Sequence, residues 1–530
     1  MSAFVCNPYT ESLAVRLTQG VVLGTLRVEM TNHRSLVPKV QVAALACLVG
    51  AGLSLACSSS SSPAAAAAGA PAEAGANAAA GMASSIGGES AGGSGGSSMP
   101  SGITFHKDVE PLLQRSCQSC HVQGGIGPFS LVTFAEARVM AGGMAEETAL
   151  RIMPPWHAQN TAECTVPLPW KNDTRLSDAE IATFQAWKDD GMPEGDPKDA
   201  PPPRAQVTGL PGVQQELAPG AAYELAPGGD EFRCFILDPK LAKDSFVNGV
   251  FVVPGNDAVV HHVLVFTDPG RKSLDNVAAG ETSYDCFGGA RVADSSLLTA
   301  WTPGGVPLEY PSNIAAPLSA GTLLVMQIHY HPHSATDKTT DSTKLQLRFS
   351  DTAPAFTAVT ALIGNFKTLL ANGDGLLPGP DDPAKGPAFQ IPPNVSNHTE
   401  TMQWTFKAAS TLVTPRLYGI GGHMHYVGVD EKITLERADG TNACLMQIPH
   451  WDFDWQRRYD YDAPIDGLLQ IKTGDKLGIR CTYDNTMKNP KVAESLIEQG
   501  LKAPSEVDLG ETTLDEMCLA SMTVIYPSGK

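Results

Sequence analysis

The stretch AVVHHVLVFTDPG, residues 258–270, indicates the fold of most of this chain, because an apolar, β-branched run ends in a proline–glycine turn. Runs of the same kind lie on either side, SFVNGVFVVPG at 245–255 and TLLVMQIHYHPH at 322–333. Short strands separated by turns favour antiparallel sheets over alternating strands and helices. From residue 216 onward the sequence therefore predicts a mainly β fold.

Histidines concentrate in these predicted strands. Because residues i and i+2 of a strand face the same way, His423 and His425 in the stretch GGHMHYVG can bind one metal ion. The adjacent pair His261–His262 needs a twisted or bulged strand and a third ligand from elsewhere. A single buried histidine is more often structural, but a cluster in three strands predicts metal binding, for which imidazole suits copper, zinc and iron. Seven of the thirteen histidines fall in three runs: His261, His262, His329, His331, His333, His423 and His425.

The end of the chain adds the motif Asp515-Glu516-Met517-Cys518 before a last predicted strand, MTVIYP at 522–527. With the histidines, this motif makes residues 216–530 resemble the copper type II, ascorbate-dependent monooxygenases, the family of the peptidylglycine α-hydroxylating and dopamine β-monooxygenases. The resemblance implies two jelly-roll-like antiparallel β-sandwich domains, at 216–352 and 353–530. It also implies two copper ions as cofactors.

The resemblance gives each copper ion three ligands. The family's adjacent histidine pair, with a third histidine in a strand ending His-Tyr, holds the electron-transfer copper. Its His-x-His pair and the methionine of the terminal motif hold the catalytic, O₂-binding copper. The residues that match the first set are His261, His262 and His329, and those that match the second set are His423, His425 and Met517. His331 and His333 match no ligand of the family.

The activity implied by the resemblance is hydroxylation of a C–H bond with O₂. A soft thioether such as that of Met517 favours reduced copper. The polar residues with which the peptide-acting enzymes hold their substrate are replaced here by Gly421, Leu519 and Ser521. We therefore expect a small or apolar substrate rather than a glycine-extended peptide, and a one-electron donor that is either ascorbate or a redox protein. The alternative is a non-enzymatic electron-transfer or copper-binding surface protein.

The resemblance also implies one disulfide, Cys481–Cys518, next to the ligand methionine. Cys234–Cys286 is a second candidate pair, and the sequence gives no partner for Cys164 or Cys444. The aromatic and acidic stretch IPHWDFDWQRRYD, at 448–460, alternates in a way that is more typical of a half-buried strand than of a site, and the alternative is that it lines the substrate cleft.

A different motif, Cys117-Gln118-Ser119-Cys120-His121, precedes the β region. It is the C-x-x-C-H pattern of covalent haem c attachment, in which Cys117 and Cys120 bind the haem and His121 ligates its iron. A zinc half-site or a thioredoxin-like pair is less consistent with the sequence, which has no second C-x-x-C and no surrounding βαβ pattern. Residues 102–198 resemble class I cytochromes c, which implies a small all-α domain.

The second axial ligand of such a haem is usually a methionine on a loop. Met153, in a proline-rich loop, is the expected ligand, with His157 and Met192 as the alternatives. The segment Leu176–Glu180 contains a capping box that predicts the start of a last helix, and Gly191 predicts its end.

The amino-terminal residues carry an export pattern. An apolar run at 40–56 follows Arg34 and Lys39 and ends at Cys57. Residues 1–57 resemble a bacterial lipoprotein signal, with Cys57 as the lipidated residue, while ordinary cleavage and an uncleaved anchor are the alternatives. Residues 58–101 are rich in serine, alanine and glycine and predict a disordered tether. We therefore expect an exported, lipid-anchored protein in the periplasm or on the cell surface of a bacterium.

The charge balance excludes one class of partner. A formal net charge of −19 argues against nucleic acid, whose phosphates need a basic surface. Residues 199–215 predict a linker between the haem and copper regions. A haem on the same chain can donate electrons at high effective concentration, so the sequence suggests that it supplies the electron-transfer copper, and the alternative is that the haem serves a separate partner.

Overall fold

The computed structural model describes residues 102–528, except for 124, 206, 208, 226–230, 287–288, 294, 332–338, 366–374, 380–381, 383–385, 408–412 and 511–513. The predicted signal with Cys57, the predicted tether and His333 lie outside the described residues. No helix in the described part of the chain is long and apolar enough to cross a membrane.

Most helices lie in the segment that contains the C-x-x-C-H motif. A π-helical turn, Phe105–Val109, leads into the first of them. The α-helices are α1 (Glu110–Ser116), α2 (Phe134–Val139), α3 (Ala141–Ala149), α4 (Asp178–Asp189) and α5 (Pro490–Glu498). Short 3₁₀ turns span Pro197–Asp199, Lys272–Asn276, Phe453–Trp455 and Ile465–Gly467.

The helix α4 confirms the prediction from its capping box. The Ser177 side chain accepts a hydrogen bond from the Glu180 backbone N–H, and the Glu180 carboxylate accepts one from the Ser177 backbone N–H. Trp187 on this helix is fully buried and its ring lies 5.9 Å from that of Phe105. The first and last helical segments therefore pack together, and Gly191, at φ +81°, follows the end of α4.

The rest of the described chain is made of strands. They are β1 (Gln215–Leu217), β2 (Tyr223–Glu224), β3 (Glu231–Leu237), β4 (Ser245–Val253), β5 (Val260–Asp268), β6 (Ser283–Asp285), β7 (Ser296–Trp301), β8 (Leu308–Glu309), β9 (Ile314–Leu318), β10 (Leu323–Tyr330), β11 (Thr340–Asp341), β12 (Lys344–Phe349), β13 (Phe356–Gly364), β14 (Gln390–Ile391), β15 (Ser396–Thr405), β16 (Arg416–His423), β17 (Gly428–Glu436), β18 (Asn442–Ile448), β19 (Arg458–Asp460), β20 (Lys476–Asp484), β21 (Val507–Asp508) and β22 (Leu519–Pro527).

These strands form several mainly antiparallel sheets, which confirms the predicted mainly β class. The largest has the order β1-β12-β4-β9-β13-β7-β5-β10-β3-β6, and β22, β16 and β19 extend from β13. A separate four-stranded sheet has the order β15-β20-β17-β18. The expected boundary between the two sandwich domains, at residue 352, falls just before β13. Because β13 pairs with β7 and β9 before this boundary and with β22 after it, one sheet contains strands from both sides.

The two largest apolar cores of the described residues lie among the sheets. The first combines side chains of β4 and β12 with side chains of β5 and β10. The second combines β16 and β22 with β17 and β20, and it also contains three residues from the segment between α3 and α4: Trp156, Ala158 and Trp170. That segment therefore packs against the strands around the second core, β14–β22, which together are called the second β region.

Candidate metal centres and the cavity they share

The first histidine cluster is positioned by strand register. In the antiparallel pair β5–β10, His262 lies directly opposite His329, and the next pair along is Val260 with Tyr330. His261 is therefore the extra residue of a local bulge, which turns it toward the side on which His262 and His329 lie. The expectation that adjacent histidines need a bulged strand is confirmed.

The three side chains converge. One ligand atom from each of His261, His262 and His329 lies within 4.8 Å of the others, and the two Nδ1 atoms of His261 and His262 are 3.1 Å apart. His329 is only 1% exposed. Burial, followed by the charge of the neighbouring histidines, holds the pKa of His262 well below its usual value. A neutral imidazole is the form that ligates metal, so this cluster suits a metal ion of the copper or zinc type.

The second set joins a strand end to a distant loop. His423 is the last residue of β16 and His425 follows two residues later, with ring centroids 5.1 Å apart and ring planes at 88°. Met517 precedes β22, which pairs with β16, and all three residues line one cavity. Two imidazoles and a thioether form a donor set that suits copper.

Each histidine of this second set has one ring nitrogen engaged. His423 Nδ1 lies 2.5 Å from Gln456 Oε1, and His425 Nδ1 lies 3.0 Å from the backbone oxygen of Asp515. Nε2 is therefore the nitrogen that each ring can offer to a metal, since a hydrogen bond at one nitrogen fixes the tautomer and the ring orientation.

Glu516 links the two chain segments that carry the second set, the one with His425 and the one with Met517. Its carboxylate is fully buried and accepts four backbone N–H groups, from His425, Val427, Gly428 and Met517, at 2.7–3.1 Å. Burial raises the pKa of Glu516 to about 8, although the four donors oppose that shift. The acidic residue of the terminal motif thus connects the segment that carries His425 to the one that carries Met517.

The C-x-x-C-H motif fits covalent haem attachment. Among the described cysteines, Cys117 and Cys120 are the two outside disulfides. The backbone N–H groups of Cys120 and His121 both donate to the Cys117 carbonyl, which folds the motif into a tight turn. His121 Nδ1 lies 3.1 Å from the Phe129 carbonyl, so Nε2 is the nitrogen that could ligate iron.

The position of the His121 ring explains why residue 127 is a glycine. A Cβ at position 127 would lie 2.7 Å from His121 Nδ1, so any side chain there would displace the imidazole ring. Met153, the expected second axial ligand, lines the same cavity as His121. Two methionines that sequence reasoning passed over, Met140 and Met144, line it as well. Met192 packs instead against the core of the helical segment.

One cavity, with a volume of about 1830 Å³, connects the C-x-x-C-H motif with both histidine sets. The loop after β7 brings the regions together, since a Cβ at Gly304 would lie 2.8 Å from Cys120 Sγ. The residues of the three groups that line the cavity are Cys117, Cys120, His121, Met153, His262, His329, His423, His425 and Met517.

A disulfide that the sequence did not predict joins the helical segment, which contains α1–α4, to the second β region. Cys164 and Cys444 form a disulfide, and Cys234–Cys286 and Cys481–Cys518 are also formed. Near the Cys164–Cys444 bond, the Trp170 ring stacks on that of Tyr461 with centroids 4.7 Å apart. The helical segment is therefore held by a covalent bond and by packing, as well as by the linker at 199–215.

The interpretation of residues 448–460 as a half-buried strand is wrong for most of that stretch. Phe453–Trp455 is a 3₁₀ turn, and only Arg458–Asp460 is a strand. Phe453, Trp455 and Gln456 line the cavity beside the histidines. Alternating aromatic and acidic residues resemble a strand in sequence, but here Phe453 and Trp455 line the cavity, and Asp452 Oδ1 accepts the Asp454 backbone N–H at the start of the 3₁₀ turn.

The positions expected to hold a substrate are adjacent in the structure. Gly421 pairs with Ser521 and His423 with Leu519 across β16 and β22, and all of them line the cavity. No charged side chain occupies these three positions, as the sequence shows. These three positions are therefore uncharged, while Arg457 and Arg458 on the neighbouring segment line the same cavity.

Comparisons with known proteins give no family. No family model and no curated protein matches this chain. Among solved structures, it is similar to the major capsid protein P2 of bacteriophage PM2, with 10% identity over 59% of this chain and 97% of that chain and a TM-score of 0.20. It is also similar to allantoicase, with 10% identity over 49% and 80% of the two chains and a TM-score of 0.15. TM-scores this low do not establish a shared fold.

Proposed function

We propose that this chain is a copper-dependent monooxygenase whose electrons come from a covalently attached haem c on the same chain. In this proposal, residues 102–198 form a class I cytochrome c region and the β regions are two jelly-roll-like sandwiches. The observation that carries the proposal is the single cavity lined by the C-x-x-C-H motif, by two of the three histidines of the first set, and by both histidines and Met517 of the second. An electron carrier with one metal would need only one of these sets.

The proposed hydroxylation consumes the substrate, O₂, electrons and protons. Hydroxylation of R–H by O₂ takes two electrons and two protons, and it gives R–OH and one water. Copper at the two sites would supply O₂ activation and the single-electron steps that this stoichiometry requires. The protein's part is to hold two donor sets of different softness, three imidazoles at one site and two imidazoles with a thioether at the other.

The fixed position of the helical segment supports the haem as donor. A tethered donor reaches its acceptor by diffusion within the length of the linker. Here the Cys164–Cys444 disulfide, the Trp170–Tyr461 stack and the close approach of Cys120 to Gly304 hold the haem-binding motif at the cavity. An electron donor that is already docked needs no encounter step.

The proposed substrate class is based on the three positions beside His423 at which the family's polar substrate-binding residues are replaced. Gly421, Leu519 and Ser521 offer no charge with which to bind a carboxylate or an ammonium group, so we propose a small or apolar C–H substrate. The three disulfides support export to an oxidising compartment, and we propose the periplasm or the cell surface, with a lipid anchor at Cys57.

The test is metal analysis of the purified chain followed by turnover. Two copper ions and one haem iron per chain are expected, together with O₂ consumption that depends on a reductant and incorporates one labelled oxygen atom into a small apolar substrate. Replacing Cys117 and Cys120 with alanine should abolish turnover driven by a haem-directed donor and preserve turnover driven by ascorbate. Stoichiometric metals with no oxygen incorporation would instead support an electron carrier.

A further inference from the structure

A six-residue turn, Trp451–Gln456, contacts both candidate copper sites. The Trp451 indole N–H donates to the backbone oxygen of His425 at 3.1 Å. The Phe453 ring stacks on the His261 ring, with centroids 4.9 Å apart and planes at 15°, and meets the His425 ring edge-on at 6.0 Å. One aromatic side chain thus lies between a ligand of the first site and a ligand of the second.

Asp454, on the same turn, reaches the first site from the second β region. Its Oδ1 lies 3.4 Å from His261 Nε2, and its Oδ2 lies 2.5 Å from Lys491 Nζ. His261 Nδ1 is the nitrogen that faces His262, at 3.1 Å. The two nitrogens of His261 are therefore divided, one toward the metal cluster and one toward a carboxylate.

Such a division has a known chemical consequence. A carboxylate at the far nitrogen of a ligand histidine fixes the tautomer and the ring orientation, and it makes the ligating nitrogen more basic. The Lys491 ammonium group donates to Asp454 Oδ2 and so keeps the carboxylate in place beside His261. Gln456 has the corresponding place at His423 of the second site.

We propose that Trp451–Gln456 is a positioning element shared by the two metal sites, in which Asp454 orients His261 at the first site and Gln456 orients His423 at the second. The first site is then complete only when the second β region lies against it. The inference rests on the proposed function only for the identity of the metal, and it concerns metal binding rather than turnover.

The experiment is a titration of the full-length, haem-containing but copper-free chain with Cu²⁺ in the presence of a competing chelator. The wild-type chain should bind two ions. Asp454→Asn should weaken one site by about 10–100-fold, the usual effect of losing such a partner, and should change the electron paramagnetic resonance spectrum of that site alone. Gln456→Leu should weaken the other site. The matched control is Asp466→Asn, an almost fully exposed aspartate nearby, which should change neither site.

A double-mutant cycle separates positioning from general damage to the fold. In a His261→Ala chain, Asp454→Asn should cause no further loss of copper affinity. In a His423→Ala chain, Asp454→Asn should weaken copper binding at the first site as much as it does in the wild-type chain. Unchanged circular dichroism and haem absorption show that each variant is folded. The proposal is overturned if Asp454→Asn weakens both sites equally, if its effect persists without His261, or if the wild-type chain binds no copper at His261, His262 and His329. A chain that binds two ions but hydroxylates nothing would refute the monooxygenase and leave this inference standing.

Discussion

The two candidate copper sites are built in different ways. The first is assembled within one sheet, where the β5–β10 register places His262 opposite His329 and a bulge adds His261. The second joins the end of β16 to a loop before β22, and it depends on Glu516, which binds backbone N–H groups on both sides. Strand pairing is sufficient to bring the first ligands together, whereas the second set needs a buried carboxylate and a neighbouring disulfide.

This difference explains why the sites should respond differently to substitution. Each ligand of the first site sits on a strand held by neighbours on both sides, since β10 lies between β3 and β5. Met517 of the second site sits outside any strand. We therefore expect changes near Met517 to propagate to metal binding more readily than comparable changes near His329.

The largest expected effect is that of Met517→Ile. Loss of the thioether should lower hydroxylation by more than about 100-fold, because in the proposed function Met517 is itself a ligand, and loss of a partner behind a ligand already costs about 10–100-fold. The haem absorption and the first copper site should be unchanged. The matched control is Met522→Ile, a buried methionine on β22 that faces a core, which should cost less than about 1.5 kcal/mol of stability and keep activity. Full turnover by Met517→Ile would show that Met517 is not a ligand.

The next comparison is between His329→Ala and His331→Ala. His329 belongs to the converging cluster, while the His331 ring centroid lies 6.0 Å from that of His261, outside the cluster. We expect His329→Ala to lose about one copper ion per chain and to stop electron delivery from the haem, and His331→Ala to keep both ions. Copper content measured by elemental analysis decides between them, and equal losses would mean that His331 is also a ligand.

The smallest expected effects come from removing disulfides one at a time. Replacing Cys481 and Cys518 with serine, or Cys234 and Cys286 with serine, should each lower the free energy of unfolding by about 2–4 kcal/mol. Only the first pair adjoins a ligand, since Cys518 follows Met517, so only its loss should also weaken copper binding at the second site. Chemical denaturation with copper titration tests both statements, and equal effects on copper would remove the distinction between the two sites.

Local sequence patterns predicted much of this arrangement. The mainly β class, the helix that begins at Ser177, the bulge at His261 and the Cys481–Cys518 pair all follow from short-range patterns or from a motif resemblance. The missed features are long-range. Cys164–Cys444 joins residues 280 positions apart, and nothing near either cysteine specifies its partner.

The sequence by itself determined the chemistry available: a C-x-x-C-H motif, histidines at strand spacing, and a methionine beside a buried acid. Those features are local, because side-chain direction along a strand or a tight turn depends on residues a few positions away. Only the tertiary structure decided which groups meet. Asp454 reaches His261 across 193 positions of the chain, and Cys120 lies close to Gly304 although the two are far apart in sequence. Packing depends on the shape of the whole chain, so one short turn, Trp451–Gln456, contacts histidines of both sets without any pattern in its own residues that predicts it.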